Sequence, residues 1–178
     1  VPLDEASSEL YDLPEPAESV ARPYDAFLGS RFASERPYLV EAPFTLNVEP
    51  GLAIRGRIDA VYRSEDLWEV VDFKSGRPSA NASRRVQLQA YAVAVSRGAL
   101  SPQPPPRLQV TFAYLGDGLV CETEDADEGW LVDAEESLGS IARGIVDQAF
   151  EPTPGPACGS CDFLSVCDAG RTHVGGPT

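Results

Sequence analysis

The stretch LAIRGRIDAVYRSEDLWEVVDFKSG, residues 52–76, restricts the fold more than any other part of the chain. Its first half alternates Ile54, Gly56 and Ile58 against Arg55, Arg57 and Asp59, the two-residue period of a β-strand. Its second half, LWEVVDFKS, is an apolar, β-branched run that predicts another strand. Ser64, Glu65 and Asp66 form the short turn between them, which makes the two strands neighbours. Side chains two apart on a strand share a face, so Asp72 and Lys74 point one way, and Val71 and Phe73 point the other way, into the core. Asp59 closes the polar face of the first strand. Two carboxylates and an ammonium are therefore expected to converge on one patch.

The elements on either side complete the pattern. RPYDAFLGSRFASERP predicts a helix, with Tyr24, Leu28 and Phe32 at four-residue spacing and Pro23 in its first turn. YLVEAPFTLNV predicts a strand turned by Pro50 and Gly51. SRRVQLQAYAVAVSRGAL is the clearest helix, with Gly98 near its end. LQVTFAYL and LVCETE predict a hairpin through Gly116, Asp117 and Gly118. GWLVDAEESLGSIARGIVDQAF predicts a long amphipathic helix, in front of a tail rich in Gly, Pro and Cys. This order of elements predicts an α/β (α+β) fold, a mixed central sheet flanked by helices. Residues 1–20 read as a poorly ordered lead-in, 21–150 as the core and 151–178 as a cysteine-rich C-terminal segment. No apolar run approaches the length of a membrane span, which predicts a soluble, cytoplasmic protein. The chain contains no methionine, and its polar opening reads as that of a fragment of a longer polypeptide.

Lys74 is the one lysine in a chain whose other long basic side chains are all arginine. Carboxylates beside a lysine suit hydrolysis of a phosphodiester. The carboxylates would hold a hard cation such as Mg²⁺, which takes oxygen ligands and keeps waters. The metal would activate a water and offset charge building on phosphorus. Lysine would add a compact positive charge where the planar fork of arginine would not fit. On the following helix Arg84, Gln87 and Tyr91 fall three and four apart, on one face. Gln87 is placed to orient a water or a phosphate, and Arg84 and Tyr91 to hold a substrate backbone. A formal net charge of -14 argues against a free-standing DNA-binding module.

GRIDAV, VVDFKSG and QLQAY, in this order, resemble the motifs of the PD-(D/E)XK nuclease superfamily, and the RecB-like branch of helicase-nucleases most closely. In that branch the motifs run G-x-x-D, D-x-K-(T/S)-G and Q-L-x-x-Y. The resemblance spans roughly residues 38–168. It implies a restriction-endonuclease-like core, with Asp59 and Asp72 as metal ligands, Lys74 as the catalytic lysine, and Gln87 and Tyr91 as catalytic residues of the helix motif. It also implies Glu41, in VEAPFTL, as a further acidic ligand on the first strand. Mg²⁺ or Mn²⁺ as cofactor, DNA as substrate, an exonuclease activity in repair or recombination, and a helicase or translocase partner all follow from the resemblance. Two departures stand out: the branch carries an upstream histidine and an upstream cysteine that this chain lacks.

Three of the four cysteines, Cys158, Cys161 and Cys167, crowd near the C-terminus, a pattern that points to a metal site before a disulfide. The C-x2-C-x5-C triplet resembles the one that holds a [4Fe-4S] cluster in iron–sulfur members of the branch. With His173 the same residues also read as four ligands for Zn²⁺. Cys121 reads as a small buried hydrophobe. Plainer readings stand beside these: Asp72 and Lys74 as an ordinary ion pair, Tyr91 as core, Arg84 as a solvated helix start, and the whole as a nuclease fold that has lost activity and serves as a DNA-binding scaffold.

Overall fold

The computed structural model describes residues 18–78 and 82–175. The chain divides into two compact units, Val1–Gly139 and Ser140–Thr178.

The first unit is built on a five-stranded sheet in the order β1-β2-β3-β4-β5. Helix α1 (Glu18–Leu28) and the single turn α2 (Arg31–Ser34) precede β1 (Leu39–Glu49), β2 (Leu52–Arg63) and β3 (Trp68–Lys74). These three strands form an antiparallel meander. Helix α3 (Ala82–Ser96) then crosses over to β4 (Leu108–Tyr114), which pairs parallel to β3, and β5 (Val120–Asp125) returns antiparallel along β4. Helix α4 (Glu128–Val146) follows. The sheet is mixed and flanked by helices, as the order of elements predicts.

Strand β3 is central, and Trp68 through Asp72 are all buried. That is the signature of a strand covered on both faces, where alternation gives way to continuous burial, and here the buried run includes Glu69 and Asp72. One face carries the larger core, in which Phe44, Ile58, Val61 and Val70 meet α3 through Tyr91, Val93 and Val95 and α4 through Ala134 and Leu138. The other face carries Ala60, Tyr62, Val71 and Ala113 against Phe32, with Phe27 and Phe73 packed at its margin. Phe73 stands edge-on to both Phe27 and Phe32.

Two expectations need correction. Helix α1 begins at Glu18, so Pro23 lies inside it and not in its first turn, and the chain breaks at Gly29–Ser30 before α2. The break, where the Ser30 hydroxyl donates to the Phe27 carbonyl at 2.6 Å, rotates the buried stripe onto Phe27 and Phe32 and leaves Tyr24 and Leu28 exposed. Cys121 is exposed, not buried, because β5 is the sheet edge and all its residues face solvent.

The second unit contains short 3-10 turns at Pro156–Ser160 and Leu164–Val166 and ends in α5 (Asp168–Gly175). Among the described residues no helix is long and apolar enough to cross a membrane.

Candidate active site

Asp72 and Lys74 leave β3 on the face covered by α3. The Lys74 ammonium lies 2.5 Å from the Asp72 carboxylate, which is 1% exposed. On its other side the ammonium donates to Gln87 Oε1 at 2.9 Å. Gln87 in turn donates through Nε2 to the Tyr91 hydroxyl at 2.7 Å. Gln87 and Tyr91, one helical turn apart on α3, thus act in series: the glutamine touches the lysine, and the tyrosine touches the glutamine. The ion pair that an ordinary strand could make is present, but it sits at the buried end of this series.

Asp59 reaches the site from β2, where its Oδ2 accepts the Phe73 backbone N–H at 2.8 Å. A carboxylate anchored this way keeps one orientation, as a ligand must. Glu41 and Asp59 share a register position, between the pairs Val40–Ala60 and Ala42–Ile58. Both strands reverse their faces there. Leu39 and Ala42 lie on one core, as do Ile58 and Val61, although each pair is separated by an odd number of residues. Glu41 has φ +50°, the left-handed region that a non-glycine residue seldom occupies. Its carboxylate is 3.7 Å from Arg57, and both side chains are mostly exposed. Glu41 and Asp59 also line one cavity of about 360 Å³ with Phe27, Phe32, Tyr62 and Phe73.

The electrostatics of Tyr91 tie the acidic residues together. Burial pushes its phenol up to about 12, a donated hydrogen bond from Gln87 pulls it partly back, and the charges of Asp72, Asp59 and Glu41 push it up again. All three carboxylates therefore act on one phenol, which stays protonated through the whole physiological range.

The other candidate residues stand apart. Arg84 lies on α3, and its side chain is outside the described ones; its neighbour Arg85 pairs with Glu124 on β5 at 3.0 Å. In the second unit the Cys158 and Cys167 sulfurs flank Gly170, and each accepts a backbone N–H, from Gly155 and Gly170. Cys161 and His173 are exposed, and among the described residues no three His, Cys, Asp or Glu form a group that could hold a metal ion. One residue that matters to the geometry escapes a reading of the motifs: Phe44, whose ring meets Tyr91 edge-on and lies over Gly56, the glycine of the G-x-x-D motif. The signal for Gly56 is present in the sequence, because a glycine inside a strand marks a close approach.

No curated protein sequence matches the chain. The solved structure of SSO0001 is similar over 93% of this chain and 76% of its own, at 20% identity and a TM-score of 0.49. A putative exonuclease from Eubacterium rectale is similar over 85% of this chain at 12% identity and a TM-score of 0.50, and this chain covers 57% of its length. The second likeness is one of fold. The sequence profile of the PD-(D/E)XK nuclease superfamily matches residues 6–168, a span that takes in the sheet, α3 and the cysteine triplet. With its mixed sheet and nearly its whole length accounted for by that profile, the chain belongs to the PD-(D/E)XK nuclease superfamily.

Proposed function

We propose that this domain hydrolyses the phosphodiester backbone of DNA with Mg²⁺ or Mn²⁺, as an exonuclease and as the C-terminal part of a cytoplasmic helicase-nuclease of the RecB-like branch. The observation that carries this is the run of contacts from buried Asp72 through Lys74 to Gln87, with Asp59 fixed on the neighbouring strand.

The donors fit a hard divalent ion, the kind that superfamily members generally use. Asp59, Asp72 and Glu41 offer only carboxylate oxygens, from three adjacent strands, but among the described residues they do not come together as a group of three that could hold the ion. Mg²⁺ is held by few protein ligands, with waters retained. When bound, the ion would supply a water of lowered pKa and a charge opposite the phosphoryl oxygens. The chain's own residues do the rest. Asp72 and Gln87 hold the lysine ammonium in one place. Lys74 presents its positive charge to a phosphoryl oxygen or to the attacking water. Tyr91 keeps the Gln87 amide turned so that its carbonyl faces the lysine. The core is assigned to residues 21–150 and the cysteine-rich segment to 151–178. The charge of -14 calls for DNA affinity from elsewhere, and a helicase or translocase partner would supply it. Cys158 and Cys167 flank one glycine, and each accepts a single backbone N–H. Because the described residues do not complete a ligand set, a [4Fe-4S] cluster or Zn²⁺ would need a further ligand in the intact protein.

The test is cleavage of labelled single- and double-stranded DNA in Mn²⁺, Mg²⁺ or EDTA, with wild type and Asp72→Ala side by side. Metal-dependent cutting that disappears in the variant is expected. Equal cutting by the variant would sink the assignment. Absence of cutting by wild type, and by a version extended upstream, would leave a DNA-binding scaffold.

A further inference from the structure

Gly56 does not need to be glycine for its backbone, since its φ lies outside the left-handed region. A glycine inside a strand weakens it relative to alanine, so its presence calls for another cause. The cause is space. Gly56 pairs with Phe44 across β1 and β2, and a Cβ on Gly56 would come within 2.8 Å of Phe44 Cε1 and 3.0 Å of Cζ. The ring lies over the bare backbone of the neighbouring strand. From there it meets Tyr91 edge-on, with centroids 5.5 Å apart and planes at 82°. Tyr91 accepts from Gln87, and Gln87 accepts from Lys74.

We propose that Phe44 is a positioning residue for the lysine, and that Gly56 is required because it admits the Phe44 ring. Phe44 is 6% exposed and Tyr91 5%, so neither ring has room to swing without the other following. A fixed phenol occupies the amide N–H of Gln87 and leaves its carbonyl for the ammonium. Displacing Phe44 displaces Tyr91, frees the amide to rotate, and loosens the ammonium at the end of the series. The glycine of the G-x-x-D motif is thereby connected to the lysine of D-x-K through side chains, independently of Asp59. The consequence for catalysis rests on the nuclease reading; the positioning itself does not.

Lys74, as the sole lysine, makes the test direct: ¹³C/¹⁵N-lysine labelling gives a single set of side-chain resonances. The variants are Gly56→Ala, Phe44→Leu and the two combined, each checked for folding by its urea midpoint. Gly56→Ala is expected to shift the Lys74 Cε and Nζ resonances. It should also lower kcat by about 10- to 100-fold, with KM within about twofold, as a misplaced catalytic group does. The double variant should be no worse than Phe44→Leu alone, since no ring is left to displace. A Lys74 signal unmoved in folded Gly56→Ala, or additive losses in the double variant, would overturn the proposal. Should wild type cut nothing, the resonances still decide the positioning claim, while the Asp72→Ala comparison separately decides the nuclease reading.

Discussion

Glu41 and Asp59 occupy the same register position of β1 and β2, at the point where both strands exchange the faces on which their side chains lie. Because the exchange happens in both strands together, pairing continues on either side without slipping. Glu41 makes the turn with a left-handed backbone, φ +50°. Such strain at an acidic residue beside a candidate metal ligand is the kind that a functional site stores.

This conformation sets the order of stability among Glu41 variants. Asn tolerates left-handed φ, so Glu41→Asn should unfold within about 0.5 kcal/mol of wild type. A β-branched residue does not, and Glu41→Val should lose about 1–3 kcal/mol. Urea denaturation measures both. Mn²⁺ binding by Glu41→Asn should be weaker than in wild type if the carboxylate is a ligand.

Lys74 sits between an almost fully buried carboxylate, with which it forms an ion pair, and an amide oxygen to which it donates a hydrogen bond. A guanidinium keeps the charge but is wider and planar, and cannot occupy the same point. Lys74→Arg should therefore fold normally and lose cleavage by about 100-fold or more. Circular dichroism and the cleavage assay, run on one preparation, give both readings. Wild-type-like cutting by the variant would remove the lysine from the mechanism.

Tyr91 gives the stability a pH dependence at the alkaline end. Its phenol ionises near 12 in the folded chain, against an ordinary 10.0. The folded state thus holds a proton that the unfolded state has released, and stability falls as pH rises from 10 to 12. Below pH 10 the contribution is complete. Tyr91→Phe should be less stable at neutral pH, through loss of the Gln87 hydrogen bond, and should show a shallower decline across that window. Parallel declines would mean that Tyr91 is not the group responsible.

On the opposite face of the sheet, Glu69 is 8% exposed and is held by two bonds from Arg31, at 2.6 and 2.7 Å, and one from the Thr111 hydroxyl at 2.7 Å. Removing Arg31 strands a buried carboxylate. The Arg31 side chain is itself 42% exposed, so Arg31→Ala should cost about 2–3 kcal/mol, below the range for a fully buried pair. Adding Glu69→Gln should restore part of the loss, read from the urea midpoint.

The strands were legible because their side-chain periods are local properties. β2 occupies the same residues, Leu52–Arg63, that alternation predicts, and the hairpin brings Asp59 beside β3 as the short turn requires. The spacing of Gln87 and Tyr91 put both on one face of α3, but Gln87 was read as orienting a water or a phosphate, and its contact with Lys74 came only with the structure. Helix α1 was misread because proline was taken as a start signal, whereas this helix accommodates Pro23 internally. Cys121 was misread because a strand pattern does not say whether a strand is central or at an edge. The face exchange at Glu41 and Asp59 and the fit of Phe44 over Gly56 depend on what stands opposite in another strand, and no single stretch of sequence contains that information.

The parallel pairing of β3 with β4 carries a consequence for the order in which the molecule assembles. β1, β2 and β3 join through short turns and can pair as soon as they leave the ribosome, whereas β4 reaches β3 only through the α3 crossover. The acidic strands are thus expected to associate while Lys74 still lacks its contact with Gln87 on α3. Asp72 can pair with Lys74 within β3 itself, whereas Gln87 arrives only with α3, and the parallel pair closes after both.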